Sequence, residues 1–157
     1  MKNPEKTFQW IVGVLRKHNV PFVITGGLSA KSYGSARSLN DIDIDIHDGD
    51  INVILEDIRP YITFGPDHYR DDRWDLLLTT LNHEGQEIDL ACGDSLKICD
   101  ARNGAWSDQA TDFSDVEIRD VFGIKVPVIS RRGLIEYKSM LQGDHQAIDI
   151  KAALTAE

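Results

Sequence analysis

Asp41-Ile42-Asp43-Ile44-Asp45-Ile46-His47 alternates polar and apolar side chains without a break. Successive side chains of a β-strand point to opposite faces of a sheet, so this period of two predicts a strand. The three isoleucines would face a hydrophobic core. Asp41, Asp43, Asp45 and His47 would then share the opposite face. The segment therefore predicts a half-buried strand with one strongly acidic face.

The acidic face has two interpretations, because aspartate is uncommon in strands. The carboxylates could simply face water. They could also bind a metal, because Asp41 and Asp43 would lie about 7 Å apart along the strand and their side chains can converge on one cation. Mg²⁺ prefers such oxygen ligands. Without a cation, carboxylates about 4 Å apart repel by about 1 kcal/mol in water and about 4 kcal/mol at an effective dielectric of about 20. The Asp-x-Asp pattern alone favours the solvated face.

The segments on either side favour a metal and phosphate site instead. Val20–Thr25 predicts a short buried strand that runs into Gly26-Gly27 and then a helix. Glycines at a strand-to-helix turn allow backbone N–H groups to approach a phosphate, and the helix N-terminus adds favourable partial charge. Ser29 could add a hydroxyl. Downstream, Glu87-Ile88-Asp89-Leu90 repeats the acidic–apolar alternation and offers Asp89 from a second strand. A glycine turn, an aspartate strand and a later acidic strand, in this order, are far more specific than any one of them.

Hydrophobic periodicity in the rest of the chain predicts further helices and strands. The predicted helices are Pro4–His18, Leu28–Tyr33, Ile51–Ile58, Arg131–Leu141 and Asp144–Leu154, and the further predicted strands are Tyr61–Phe64, Trp74–Leu81, Val116–Arg119 and Ile124–Ile129. Trp74–Leu81 should form a hairpin with the acidic strand Glu87–Cys92, whereas Leu96–Ser114 is expected to form loops. This order predicts an α/β (α+β) fold, a mixed β-sheet with helices packed on it.

Composition limits the class of protein. The chain has 157 residues, which is the size of one domain, so a single domain over residues 1–157 is expected. No apolar run approaches the roughly 20 residues that span a bilayer, and the first residues lack a secretory signal. Cys92 and Cys99 do not form a CxxC pair, so a cytoplasmic, reducing location is expected. The net charge of −9 argues against a broad nucleic-acid surface.

Together, these residues resemble the signature of the nucleotidyltransferase superfamily typified by DNA polymerase β. The likeness is greatest to the small bacterial branch that contains antibiotic nucleotidyltransferases and nucleotidyltransferase toxins, and it spans about Pro21 to Leu154. Two positions depart from the pattern: Leu28 intervenes before Ser29 where the family often has Gly-Ser, and Leu39 replaces a common Thr or Ser. The residues that carry the resemblance are Gly26-Gly27, Arg37, Asp41-Ile42-Asp43-Ile44, Ile88-Asp89-Leu90, Val128–Lys138 and Asp149-Ile150.

The resemblance implies a Mg²⁺-dependent transfer of a nucleoside monophosphate from an NTP, such as ATP, to a hydroxyl-bearing acceptor, with release of pyrophosphate. It implies that Asp41 and Asp43 bind two Mg²⁺ ions and that Asp89 completes the second metal site and helps to activate the acceptor. By the same resemblance, the triphosphate would be held by Gly26, Gly27, Ser29 and Lys138. The acceptor could be a small molecule, a tRNA end or a protein side chain. Because only a short helical tail follows the catalytic fold, a homodimer or a protein partner could contribute to acceptor recognition.

Several alternatives stay open at this stage. The chain could be a non-catalytic nucleotide- or partner-binding module of a toxin–antitoxin-type system, or a metal-dependent hydrolase that uses the same carboxylates. Asp45 and His47 are expected to flank the metal site, with Asp45 the better candidate for an additional ligand. Lys138 could be an ordinary surface lysine, and Asp149 could brace the last helix. Trp106, in a polar segment, is a candidate for stacking on a nucleobase.

Overall fold

The computed structural model describes residues 2–157. It contains five helices and eight strands in the following order. The elements are α1 (Pro4–Lys17), β1 (Phe22–Thr25), α2 (Gly26–Ser32), β2 (Asp41–Ile46), α3 (Ile51–Ile58), β3 (Ile62–Arg70), β4 (Trp74–His83), β5 (Gln86–Cys99), β6 (Trp106–Asp108), β7 (Val116–Val121), β8 (Ile124–Ile129), α4 (Arg131–Lys138) and α5 (Asp144–Thr155). Short 3₁₀ turns precede and follow α3. The predicted α+β class is confirmed.

All eight strands belong to one mixed sheet. Seven of them follow the order β3-β4-β5-β2-β1-β8-β7, and β6 pairs with β5. The two pairings between strands distant in sequence, β2 with β5 and β1 with β8, are parallel, whereas the neighbouring hairpin strands are antiparallel. The aspartate strand β2 therefore lies at the centre of the sheet, between β1 and β5.

The isoleucines of β2 anchor the core, as the alternation predicts. Ile42, Ile44 and Ile46 are fully buried. They belong to one continuous apolar cluster with side chains of α1 and α3, among them Phe8 and Ile54. Each fully buried side chain of this size contributes about 1.5–3 kcal/mol of transfer free energy. Burying one face of β2 fixes its register, since a slip of one residue would bring the aspartates into the core.

The first helix shows how local sequence defines an element. Pro4 occupies the first turn, where its missing N–H is tolerated, and the Asn3 side chain accepts a hydrogen bond from the Lys6 N–H at 3.1 Å. The helix ends at Lys17, and Asn19 follows with a φ of 55°. None of the helices within residues 2–157 is both long and apolar enough to cross a membrane.

Four segments differ from the sequence-based prediction. The segment 96–114 was expected to form loops, but β5 continues to Cys99 and β6 pairs with its end. This extension is stable because the first residues of β4 also pair with it, with Trp74 opposite Ile98. Strand β3 likewise runs to Arg70 and pairs along most of β4. Helix α4 ends at Lys138 rather than at Leu141, and α2 already begins at Gly26.

Candidate active site

Strand register brings the acidic residues of two strands together. Asp43 on β2 lies directly opposite Asp89 on β5, and Asp41 lies opposite Glu87. Because β2 and β5 are parallel and paired without a shift, the two acidic alternations are in phase. One carboxylate oxygen from each of Asp41, Glu87 and Asp89 lies within 4.8 Å of the others. Carboxylates from two strands therefore converge, but the converging group is Asp41, Glu87 and Asp89, whereas the sequence predicted Asp41, Asp43 and Asp89.

Glu87 is a member of this cluster that the sequence-based prediction did not include. It stands two residues before Asp89 in the same alternation, so it shares the face of the sheet that bears Asp89. Like charges directly opposite on neighbouring strands are destabilising. A cation bound between Asp41 and Glu87 would relieve this repulsion.

The electrostatics of the cluster are unfavourable without a bound cation. Burial raises the pKa of Asp43 well above its usual value, and the charges of Asp41 and Asp89 raise it further. Burial also raises the pKa of Asp89 to about 7, opposed by the hydrogen bond that the Thr80 hydroxyl donates at 2.8 Å. Among residues 2–157, no Lys, Arg or His side chain forms an ion pair with these carboxylates or with Glu87. Such uncompensated oxygen donors fit a hard divalent cation such as Mg²⁺.

The glycine turn touches the aspartate strand β2 directly. Gly26 has a φ of +62°, in the left-handed region that favours glycine. A Cβ atom at Gly26 would lie 2.1 Å from Oδ2 of Asp43, closer than any real contact. The Gly26 N–H donates a hydrogen bond of 2.8 Å to the Tyr137 hydroxyl. The turn therefore sets the position of the Asp43 carboxylate, and one of its backbone donors is already bound to a side chain.

The other two predicted residues of the turn have different surroundings. Gly27 lines the cleft, and a Cβ atom there would lie 3.4 Å from the Arg37 guanidinium. Ser29, in contrast, is fully buried, and its hydroxyl donates to the Gly26 carbonyl at 2.6 Å. The expectation that Ser29 contacts a phosphate is corrected, because this hydroxyl braces the turn from inside the fold.

Lys138 is part of a buried charge network. Its Nζ lies 3.0 Å from Oδ2 of Asp149, and only 6% of its side chain is exposed. The fully buried Asp149 also accepts hydrogen bonds from Nε and Nη2 of Arg37, at 2.9 and 2.6 Å, and from the Ser35 hydroxyl at 2.8 Å. Burial opposes ionisation, but the bonds from Arg37, Ser35 and Lys138 hold the pKa of Asp149 at about 2.

The sequence left open whether Lys138 is a surface lysine and whether Asp149 braces the last helix, and this charge network bears on both questions. Lys138 is not a surface lysine, because it is buried at the wall of the cleft. Asp149 braces the last helix by clamping Arg37, which lies on the segment before β2. Two cations share this one carboxylate, so the network leaves about one net positive charge beside the acidic cluster. A polyphosphate would be attracted by that charge.

Asp45 and His47 flank the acidic cluster, as their positions along β2 predicted. Asp45 is buried, and it accepts hydrogen bonds from the hydroxyls of Thr111, at 2.8 Å, and Thr25, at 3.3 Å. Burial raises its pKa to about 6, although the two hydroxyls oppose the rise. His47 stacks on Phe113 at a centroid distance of 3.8 Å, and its Nδ1 lies 2.9 Å from Oδ1 of Asp94.

The acidic cluster, Asp45 and Lys138 line a large cleft of about 1150 Å³. Small-molecule sites commonly measure about 300–1,000 Å³, so the cleft has room for more than one substrate. Rows of side chains from four strands form its floor. Thr25, Asp43, Asp89 and Thr80 form one row, and Val23, Asp45, Ala91 and Leu78 form the next. The cleft therefore changes from acidic to mainly apolar over a few ångströms.

Aromatic residues occupy other positions than the sequence suggested. Trp106 lies on β6, outside the residues that line the cleft, and the Arg70 guanidinium covers its ring at 4.6 Å. Trp74, at the start of β4, lines the cleft instead and makes an edge contact with Tyr137 at a centroid distance of 6.3 Å. Trp106, the candidate that the sequence offered for a test of stacking, is therefore outside the cleft and covered by an arginine.

Comparison with known proteins identifies the fold. No protein-family model matches the sequence, and no curated protein sequence matches it significantly. Among solved structures, a Thermotoga maritima protein described as a nucleotidyltransferase matches with a TM-score of 0.70 and 20% identity, over 87% of this chain and 84% of that protein. The lincosamide antibiotic adenylyltransferase LnuA, with lincomycin bound, matches with a TM-score of 0.63 and 16% identity, over 99% of this chain and 98% of that protein.

A third similar structure is that of the antibiotic-resistance factor ANT(2'')-Ia. Its TM-score is 0.65 at 13% identity, over 97% of this chain and 83% of that protein. In another structure, the same protein is in complex with adenylyl-2''-tobramycin. At these identities the likeness establishes the fold. The chain therefore has the nucleotidyltransferase fold, shared with antibiotic adenylyltransferases, as the sequence resemblance predicted.

Proposed function

We propose that this nucleotidyltransferase fold is catalytically active and transfers a nucleoside monophosphate from an NTP to a hydroxyl group, releasing pyrophosphate. The observation that carries the proposal is the in-phase pairing of β2 and β5. It places Asp43 opposite Asp89 and Asp41 opposite Glu87, and no Lys, Arg or His within residues 2–157 forms an ion pair with these carboxylates. A binding module without catalytic function would have no need to keep this unfavourable cluster of carboxylates.

Asp41, Asp43 and Asp89 are the proposed ligands of the divalent cations, and Glu87 is close enough to join them. Mg²⁺ bound there would supply positive charge to the oxygens of the reacting phosphate and of the leaving pyrophosphate. Two ions are expected, from the family resemblance. Gly26 keeps Asp43 in position, since any side chain at Gly26 would displace the carboxylate.

The triphosphate lies, in this proposal, between the glycine turn and the buried charge network. Gly27 lines the cleft next to Arg37, and Lys138 adds a positive charge at the cleft wall. Both cations are held by Asp149, so they are ordered before the nucleotide arrives. Preordered charges stabilise a reacting phosphate more effectively than charges that must reorganise.

The reaction is an in-line displacement at the α-phosphorus. The acceptor oxygen forms a bond to this phosphorus while the bond to the pyrophosphate oxygen breaks. Asp89 helps to activate the acceptor by taking the proton from its hydroxyl. The Thr80 hydroxyl donates to Asp89 and fixes the orientation of its carboxylate.

A small hydroxyl-bearing molecule is the acceptor that the structural neighbours favour over a tRNA end or a protein side chain. LnuA binds lincomycin, and the ANT(2'')-Ia complex contains an adenylylated tobramycin. Those two neighbours match 99% and 97% of this chain, so nearly all of the fold described here is shared with proteins of known small-molecule complexes. We place the protein in the cytoplasm, where NTPs and Mg²⁺ are abundant, as a single domain over residues 1–157.

The test is pyrophosphate release from each NTP, with Mg²⁺ and a panel of hydroxyl-bearing antibiotics. Asp43→Asn should abolish release, whereas Asp108→Asn should retain it, because Asp108 is 87% exposed on β6. Full activity of Asp43→Asn would contradict the proposal. Tight NTP binding without release, with every acceptor tried, would instead support the non-catalytic binding module.

A further inference from the structure

Gln146 on α5 has a buried polar atom without a partner. Only 8% of the residue is exposed, and its amide nitrogen Nε2 lies 2.9 Å from Nε2 of His145. Within residues 2–157, no donor lies within hydrogen-bond distance of its oxygen Oε1. Exchanging the nitrogen and oxygen of the carboxamide would leave the NH₂ group unsatisfied instead, so one polar atom lacks a partner in either orientation. Such groups are destabilising, and they are rare unless a ligand or function requires them.

The position of Gln146 indicates what could satisfy this atom. Its side chain lines the main cleft and also a second cavity of about 450 Å³. The two cavities share Asp71, Trp74, Leu141 and Gln146, so the second is an extension of the first. The terminal torsion of a glutamine is soft, and a small rotation would turn the carboxamide into the cleft.

An aromatic side chain, that of Trp74, lines the same two cavities as this carboxamide. The carboxylate of Asp71 accepts a hydrogen bond of 2.8 Å from the Trp74 N–H, and the Asp71 N–H donates to the Trp74 carbonyl at 2.9 Å. Trp74 also packs against a small apolar cluster that includes Leu76 and Ile98. The turn thereby holds the backbone of Trp74, and apolar packing orders its indole.

This part of the cleft lies next to the proposed triphosphate site. The Tyr137 hydroxyl accepts the N–H of Gly26 at 2.8 Å, and the Tyr137 ring contacts Trp74 at a centroid distance of 6.3 Å. A single side chain therefore separates the glycine turn from Trp74. A planar group attached to the α-phosphate by a ribose could reach Trp74 and Gln146 from there.

We propose that Trp74 and Gln146 form the subsite for the nucleobase of the donor NTP, which rests on the proposed nucleotidyltransferase function. Trp74 provides the aromatic surface on which the base lies, since every base has a π-face. The Gln146 carboxamide hydrogen-bonds the edge of the base, as glutamine does with adenine elsewhere, and determines which NTP is preferred. The unsatisfied atom of the free protein is satisfied when the base is bound.

The proposal is tested by calorimetric titration with ATP, GTP, CTP and UTP, and with inorganic tripolyphosphate, which has no base, all with Mg²⁺. The wild-type protein should prefer one NTP by about tenfold, the contribution of one well-formed hydrogen bond. Gln146→Leu should lose most of that preference and retain the affinity for tripolyphosphate. The exposed Gln9 of α1 provides the matched control, so Gln9→Leu should leave all five affinities unchanged.

A second variant covers the possibility that Gln146→Leu does not fold. Trp74→Leu should weaken the binding of every NTP by about tenfold through lost stacking and leave tripolyphosphate binding unchanged. An unchanged NTP ranking in Gln146→Leu would overturn the nucleobase assignment, and so would weakened binding of an acceptor antibiotic with intact NTP binding. If the wild-type protein bound neither NTPs nor tripolyphosphate, the proposed function itself would fail.

Discussion

Replacing Asp45 with asparagine removes a charge that the fold buries in the floor of the cleft. The pKa of Asp45 is raised from 3.8 to about 6 in the folded chain, mainly by burial. The folded state therefore holds this proton more tightly than the unfolded state, and the free energy of unfolding must fall as the pH rises from about 4 to about 6. A shift of about two pKa units corresponds to about 3 kcal/mol. This loss of about 3 kcal/mol of stability persists at all higher pH values.

Asparagine has nearly the same shape and cannot ionise, so it avoids this penalty. Its carboxamide can also bond to the rotatable hydroxyls of Thr25 and Thr111, the present partners of Asp45. Asp45→Asn should be more stable than the wild-type protein by about 3 kcal/mol at pH 8, and the difference should vanish near pH 4.

The assay is urea denaturation at several pH values between 4 and 8, with EDTA to exclude metal effects. The difference in unfolding free energy between Asp45→Asn and the wild-type protein isolates the contribution of this carboxyl group. The exposed Asp108→Asn should show no such dependence on pH. A difference that does not vary with pH, or a less stable Asp45→Asn protein at pH 8, would refute the burial argument.

Two further substitutions test the supports of the site. Gly26→Ala would place a Cβ atom 2.1 Å from an Asp43 oxygen at a position with a left-handed φ. It should therefore lower the free energy of unfolding by about 2 kcal/mol or more. It should also abolish Mg²⁺–NTP binding in titration. Gly13→Ala, in open space on α1, should instead stabilise the chain by about 0.5–1 kcal/mol, and equal effects would contradict this assignment. Asp149→Ala leaves the Arg37 guanidinium without its carboxylate partner. The free energy of unfolding, measured by urea denaturation, should therefore fall by about 3–5 kcal/mol. A fall of less than about 1 kcal/mol would show that this ion pair does not stabilise the fold.

The central part of the site was predictable because it depends on periodicity. The alternation in β2 buries three isoleucines and leaves Asp41 and Asp43 on the other face. This arrangement follows from the local sequence and does not depend on the neighbouring strands. The same alternation in β5 presents Asp89. That these strands are neighbours, in parallel and in phase, does not follow from alternation alone. The sequence predicted only that a second strand offers Asp89 beside the first, and the structure adds the parallel direction and the register.

Glu87 escaped prediction because its role depends on register. A shift of two residues between β2 and β5 would keep every side chain on its face and yet move Glu87 away from Asp41. The roles of Ser29 and Lys138 depend on tertiary burial in the same way. Their sequence positions fit a phosphate site, but only packing decides which polar atoms are already bound inside the fold.

The long extension of β5 was missed because its local sequence resembles a turn. Gly93-Asp94-Ser95 would usually end a strand. In the structure Gly93 is needed for a different reason, since a Cβ there would lie 2.3 Å from the Thr111 hydroxyl. The pairing with β4 and β6 keeps the segment extended. Tertiary contacts thus override the turn that the local sequence of this segment favours. The surroundings of Trp106 are likewise set by a tertiary contact, that with Arg70.

The measurement that tests the central claim most directly is the thermal stabilisation of the protein by each NTP, with and without Mg²⁺. The acidic cluster predicts that at least one NTP raises the melting temperature only when Mg²⁺ is present, because the carboxylates repel a bare triphosphate. Asp43→Asn should lose this metal-dependent shift while remaining folded. No response to any NTP, or an equal response in Asp43→Asn, would contradict the assignment of these carboxylates as a metal and nucleotide site.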